Sequence, residues 1–155
     1  MNITLVNAPT DAVRALIGEL DAILSAEYPP EQRFGLALDA IFTPHIRFFV
    51  AERDGNPIGC GGVALFDGFA EVKRMYVRDA ARGKGVAQAI LARLEAEARA
   101  AGLTMLRLET GIAQHAAMRL YERAAFTVCG AFGDYLTKPA SALTTSVFYE
   151  KSLAS

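Results

Sequence analysis

The chain has no tryptophan, two cysteines, two histidines and a formal net charge of −1. Each shortage excludes something. Cys60 and Cys129 lie far apart, Cys60 in a Gly-Cys-Gly-Gly strand and Cys129 in an apolar one. Both are expected as buried free thiols, which points to a cytoplasmic setting. His45 and His115 have no Cys or His neighbour at ligand spacing, so no metal site is expected. The near-zero charge argues against a general nucleic-acid binder. No apolar run approaches the roughly eighteen residues of a membrane span. The N-terminus lacks a basic stretch followed by an apolar run and cleavage site, so no signal peptide is expected.

What is present is a core. Apolar residues make up 52% of the 155-residue chain, which suits one domain over residues 1–155. Ile3 to Val6 reads as a first strand. Thr10 is placed to N-cap a helix whose apolar stripe is Val13, Leu16, Ile17, Leu20, Ile23 and Leu24. Tyr28-Pro29-Pro30 breaks that helix, and a second is expected over residues 31–42, ending near Thr43-Pro44. Three strands follow as an antiparallel meander over 46–51, 57–65 and 71–77. Turns at Arg53-Asp-Gly-Asn56 and Asp67-Gly68 join them. Val86, Ile90, Leu94 and Ala98, with Leu91 beside them, mark one face of a long helix that Gly102 terminates. Residues 103–110 form a further strand. A right-handed crossover through the helix sets it parallel to 71–77. A short helix over 114–124 and strands near 126–128 and 146–150 complete the chain.

The chain turns on the junction between Glu71–Val77 and the long helix. Gly83 and Gly85 sit where the helix begins. Glycine there allows close backbone approach, and the unpaired N–H groups of the first turn suit an anion, most simply a phosphate. A Walker A loop would need Gly-x-x-x-x-Gly-Lys-Ser/Thr, but Lys84 is followed by Gly85 and position 78 is arginine. A dinucleotide fingerprint would need a third glycine where Gln88 stands. It would also need to follow the strand directly, whereas Arg78 to Arg82 intervene. Glu109 does lie at about the right distance for that motif's acidic residue.

Arg82-Gly-Lys-Gly85-Val-Ala87 resembles the Arg/Gln-x-x-Gly-x-Gly/Ala signature of the GNAT superfamily of N-acetyltransferases. A second stretch, from Gln114 through Ala117, Leu120 and Tyr121 to Phe126, resembles that family's Asn-x-x-Ala-x-x-Leu-Tyr-x-x-x-Gly-Phe pattern. Gln114 replaces the usual Asn and keeps an amide able to bond the cofactor arm. Ala125 replaces the usual Gly, so the turn before Phe126 is expected to differ. The resemblance spans about residues 46–126. It implies an α/β fold of the α+β type, with a mixed, mostly antiparallel sheet of about six to seven strands. A central parallel pair splays apart, and about four helices flank the sheet.

The resemblance also implies a reaction. Acetyl-CoA is the acyl donor, its pyrophosphate cradled by Arg82, Gly83, Lys84, Gly85, Val86 and Ala87. Its pantetheine arm pairs with the backbone of Met75, Tyr76 and Val77, and Gln114 and Tyr121 lie beside it. Transfer to a primary amine of a small molecule or peptide proceeds by direct attack in a ternary complex. Tyr121 matches the tyrosine that protonates the departing sulfur, with a core aromatic as the plainer reading. Glu71 is a candidate base. Strand alternation puts Glu71, Lys73, Met75 and Val77 on one face, and Met105, Arg107 and Glu109 on a face of the next strand. A salt-bridge ladder of Glu71 with Arg107 and Lys73 with Glu109 is the competing expectation. Glu109 is itself a candidate to orient the amine or to act as base. Tyr28 and Tyr135 are candidate acceptor-site residues. The alternative function is a non-catalytic acyl-CoA-binding or regulatory domain. Transfer to a hydroxyl, or of a longer acyl chain, is a further enzymatic alternative. A homodimer is compatible with the family.

Overall fold

The computed structural model describes residues 1–154. Seven strands form one mixed sheet. They are β1 (Asn2–Val6), β2 (Ile46–Arg53), β3 (Asn56–Leu65), β4 (Ala70–Val77), β5 (Met105–Gly111), β6 (Thr127–Cys129) and β7 (Ser146–Ser152). The helices are α1 (Asp11–Glu27), α2 (Val86–Ala100) and α3 (His115–Arg123). The strand order is β1-β2-β3-β4-β5-β7-β6, and only β4 and β5 run parallel.

The sheet sorts its side chains between two apolar layers. Along β2, Phe48 and Val50 pack with Val13, Leu16 and Ile17 of α1, while Phe49 and Ala51 face α2 on the other side. The α2 stripe of Val86, Ile90, Leu91, Leu94 and Ala98 is buried there against Val63, Val72, Leu106 and Tyr149. The glycines of β3 explain how closely α2 sits. A Cβ on Gly61 would come within 2.9 Å of Ile90 Cγ2, so a larger residue would lift the helix off the sheet.

The local signals act as the chemistry requires. Thr10 Oγ1 accepts the Val13 N–H at 3.3 Å, satisfying one open donor of α1. Past α2, Leu103 N–H reaches Ala98 O and Gly102 N–H reaches Arg99 O, with Gly102 left-handed at φ 79. That is the two-bond closure a C-terminal glycine permits.

Three expectations change. No helix spans 31–42. Two short 3₁₀ turns, Pro30–Gln32 and Leu38–Phe42, flank extended chain instead, so the sheet carries three helices rather than about four. Pro29, Pro30 and Gly35 explain this, since that stretch has poor helical propagation. Cys129 is half-buried rather than buried. The turn before Phe126 keeps its left-handed residue despite the alanine. Ala125 has φ 73, and Phe126 N–H bonds Tyr121 O while Ala125 N–H bonds Glu122 O.

Candidate active site

The site begins where two parallel strands part. β4 and β5 pair only at Ala70 with Leu106 and Glu71 with Arg107. Beyond Glu71 the β5-side edge of β4 has no strand partner, while its other edge still pairs Tyr76 and Val77 with Cys60 and Gly59. Met75, Tyr76 and Val77 thus lie where β4 borders the gap, and strand-like backbone pairing is available to an extended ligand arm.

A bulge then resets the strand. Gly62 faces Lys73 and Cys60 faces Tyr76, so Arg74 and Met75 together oppose Gly61. Arg74 takes φ 56, a strained value for a non-glycine residue. The bulge breaks the expected alternation. Tyr76 packs towards the α1 layer and Met75 and Val77 towards the α2 layer. Glu71, Lys73, Met75 and Val77 therefore do not share a face.

After β4 comes the glycine loop. Gly83 and Gly85 have φ 76 and 79, and a Cβ at either would meet nothing within 4 Å. Their requirement is backbone conformation and an open approach, which fits a pyrophosphate lying across the start of α2. Val86 is buried in the core, so its backbone alone is available. Arg82 Nε donates to Val77 O at 3.2 Å and its Nη1 lies 2.8 Å from Asp79, tying the loop back to β4. Lys84 is exposed and Ala87 half-buried.

On the α1 side of the gap lies a cavity of about 130 Å³. It brings together Tyr28, Glu71, Met75, Glu109, Gln114, Tyr121 and Tyr135. Tyr76, Val77 and the Arg82–Ala87 loop are outside its lining. Tyr76 turns its hydroxyl to Glu19 at 3.0 Å. The residues expected around an acetyl group and an acceptor thus share one chamber, and those expected around the phosphates lie apart from it.

The two tyrosines differ. Tyr121 is 5% exposed, and its hydroxyl makes no hydrogen bond among the described residues. Burial, then the nearby Glu109 carboxylate, pushes its phenol well above the usual range. Tyr135 is engaged. Its hydroxyl donates to Glu71 Oε2 at 2.6 Å and accepts from Lys73 Nζ at 3.1 Å. Burial, then the Glu71 charge, raises it strongly as well. Both phenols stay protonated at ordinary pH.

The carboxylates differ too. Glu71 is 4% exposed, and its Oε2 takes both the Tyr135 hydroxyl and Lys73 at 2.9 Å. The expected ladder is absent. Arg107 reaches Glu150 at 3.4 Å and its guanidinium lies over the rings of Phe69 and Phe132. Glu109 accepts a bond from Ser146 Oγ at 2.7 Å. Burial raises Glu109 above the usual carboxylate range, opposed by the Ser146 bond and by Lys73. A raised carboxylate that lines the cavity is suited to accept a proton from an amine.

Sequence reasoning did not single out Gln32, Arg33, Phe34 and Gly35 as site residues, yet all line the cavity, as does Arg74. The segment reaches the site because Gln32 is pinned across the cleft. Its Nε2 donates to Ser141 O and Thr144 Oγ1, and Thr145 Oγ1 donates to its Oε1. The only local signal was Gly35, where a Cβ would overlap the Arg74 guanidinium.

A splayed parallel pair, a glycine loop opening a helix and a tyrosine facing the gap define an acyl-CoA-dependent transferase fold. The sequence profile of the Acetyltransferase (GNAT) family matches residues 15–126, and the chain belongs to that family. It is similar to the "IAA acetyltransferase" of Azospirillum brasilense, at 45% identity over 145 residues, covering 92% of each chain. The crystal structure of a Klebsiella pneumoniae protein described as an acyl-CoA N-acyltransferase is 36% identical. It covers 99% of this chain and 97% of its own, with a TM-score of 0.77. An aminoglycoside 6'-N-acetyltransferase complexed with coenzyme A shares the fold at 13% identity and a TM-score of 0.73, covering 100% of this chain and 98% of its own. The family and the relatives at 45% and 36% identity make the protein an acetyl-CoA-dependent acetyltransferase acting on an amine, and they give no support to the non-catalytic alternative.

Proposed function

We propose that the cavity beside the β4–β5 gap is where the amine is acetylated, with Glu109 as base and Tyr121 as acid. Glu109, which lines the cavity and meets only the Ser146 hydroxyl among the described residues, carries this reading. Bound acetyl-CoA supplies the activated acetyl thioester. The first-turn N–H groups after Gly83 and Gly85 hold its phosphates, and the free edge at Met75–Val77 holds its arm. A backbone N–H on that edge receives the charge developing on the thioester oxygen.

The protons balance. The acceptor enters as an ammonium. Glu109 takes one proton and leaves a neutral nucleophile. The C–N bond forms and the C–S bond breaks. The Tyr121 hydroxyl gives its proton to the sulfur, and the proton shed by the acylated nitrogen restores it. Glu71 has a different part. With one oxygen held by both Tyr135 and Lys73, it fixes the cavity wall. The buried Cys60 thiol accords with a reducing cytoplasmic location.

The test is the initial rate of thiol release from acetyl-CoA with a panel of primary amines, with IAA, named for the Azospirillum relative, assayed beside it. Glu109→Gln should lower kcat by about 10²-fold or more, the usual scale of a lost general base. Glu71→Gln should retain more activity than Glu109→Gln at every pH. The reverse order assigns the base to Glu71.

A further inference from the structure

The chamber carries charges that its own residues leave unanswered. Five ionisable side chains line it, namely Arg33, Glu71, Lys73, Arg74 and Glu109. Lys73 and Glu71 neutralise each other at 2.9 Å. Arg74, whose side chain is 3% exposed, pairs through Nη2 with Asp21 of α1, whose own side chain is 57% exposed. Arg33 meets no carboxylate among the described residues; its Nη1 donates to the Ser25 hydroxyl at 2.7 Å. Glu109 meets no cation within salt-bridge reach among the described residues, only the Ser146 hydroxyl. One cation and one anion therefore remain without an ionic partner in the same small space.

The donors give a second, independent observation. Two buried side-chain nitrogens have no hydrogen-bond partner among the described residues, Arg33 Nε and Arg74 Nε. Buried polar groups are nearly always paired, so an orphan calls for an explanation. Here both orphans belong to guanidinium groups on residues lining one chamber. A guanidinium edge, Nε with Nη, matches the two oxygens of a carboxylate. The fold also makes special provision for one of them. The bulge at Arg74 holds a non-glycine residue at φ 56, and Gly35 leaves the room that its guanidinium fills.

Resting on the reading of this chamber as the acceptor site, we infer that the acceptor is a small amphoteric compound, an α-amino acid or short amino carboxylate. Its carboxylate docks on Arg33 and Arg74, and its amine meets Glu109. Such a ligand brings a counter-charge to Arg33 and a counter-charge to Glu109. A plain polyamine would answer Glu109 and bring further positive charge against two arginines. A simple acid would answer the arginines and offer no nucleophile. The volume sets the scale. The acetyl group shares the space of about 130 Å³, which suits a small acceptor.

Matched pairs test this. Each of several small amino acids is compared with its carboxamide, which keeps the amine and loses the carboxylate. Two readouts are taken: thiol release from acetyl-CoA, and the thermal shift each compound adds to the coenzyme A-saturated protein. The expected result is a kcat/KM at least about 10²-fold higher for the acid, in line with the penalty for leaving buried charged donors unpaired, and a shift with the acid alone. Arg33→Gln, at a half-buried and less fold-critical position, should raise the acid's KM about tenfold or more. It should leave the KM for acetyl-CoA unchanged and reduce the preference of acid over amide. Gly35→Ala, which pushes the Arg74 guanidinium aside, should act in the same direction.

Equal use of acids and amides overturns the amphoteric acceptor and leaves the acetyltransferase standing. So does a loss in Arg33→Gln that is equal for both members of a pair, since that is a structural effect. An acid-specific thermal shift with no thiol release for any amine keeps the docking site and overturns the catalytic reading. Stabilisation by acetyl-CoA with neither shift nor turnover for any acid overturns both.

Discussion

Tyr28 fills the space that a side chain at Gly111 would need. A Cβ there would overlap the Tyr28 phenol, and that hydroxyl accepts the Ala113 N–H at 3.0 Å. The pair fastens the end of α1 to the end of β5 at the cavity's edge. Gly111→Ala should drive the ring out and cost about 1–3 kcal/mol, the range for overpacking a closed site. Tyr28→Phe keeps the ring and loses only the bond, so about 1 kcal/mol is expected. Urea unfolding of both variants checks this. A neutral Gly111→Ala would show that the ring moves freely.

Burial raises Glu109 in the folded protein above the ordinary carboxylate range. The sign follows from linkage. A carboxyl raised on folding contributes stability that is fully present below its unfolded pKa and is lost as pH rises through the folded value. A glutamine does not ionise and loses nothing. Glu109→Gln should therefore match the parent's melting temperature near about pH 4 and exceed it near about pH 8. The Ser146 hydroxyl can still donate to the amide oxygen. The same substitution removes the proposed base, so the variant should be more stable and less active together. A variant that is less stable at the higher pH would mean that the Ser146 bond and Lys73 outweigh desolvation.

The pattern of strands and the glycine loop were legible because each rests on local chemistry. Val86 to Ala98 repeats at helical spacing, and Gly83, Gly85 and Gly102 stand where left-handed backbone is required. The bulge at Arg74 was not legible. No local preference places arginine at positive φ; the bulge lies opposite Gly61, and past it Tyr76 rather than Val77 packs on the α1 side. Residues 28–42 were expected among the acceptor-selecting loops, but which side chains of 32–35 line the site was not legible, for a related reason. The position of that segment depends on Gln32 reaching Ser141, Thr144 and Thr145, more than a hundred residues away in sequence. Tyr135 was suspected as an acceptor-site residue, but its bond to Glu71 needed the sheet to be assembled first.

Ala125 carries a left-handed φ of 73 where the family pattern has glycine. An L-residue there costs about 1–2 kcal/mol, while glycine returns about 0.4–1 kcal/mol of that to the unfolded chain as entropy. Ala125→Gly should thus stabilise by about 0.5–1 kcal/mol. The turn is already closed by the Phe126 and Ala125 N–H bonds, so KM for acetyl-CoA should not move. Thermal unfolding together with a steady-state titration of acetyl-CoA reads both.

Tyr121 lines the cavity without a hydrogen bond among the described residues, and burial keeps its phenol protonated. An acid of that kind is available at every working pH, so the rate should carry no limb from its ionisation. The limb at low pH belongs to Glu109 and should disappear in Glu109→Gln. Tyr121→Phe removes the proton donor while keeping the ring against Phe126 and Tyr149. The expected result is a fall in kcat of about 10²-fold, with the fold and the KM for acetyl-CoA preserved. A phenylalanine variant that turns over at the parent rate would mean that water protonates the sulfur and that Tyr121 is a packing residue. The pH profile separates these cases even if the fall is small. Loss of an acid that never titrates lowers the whole curve and leaves its inflection in place, whereas a disturbed Glu109 moves the inflection itself.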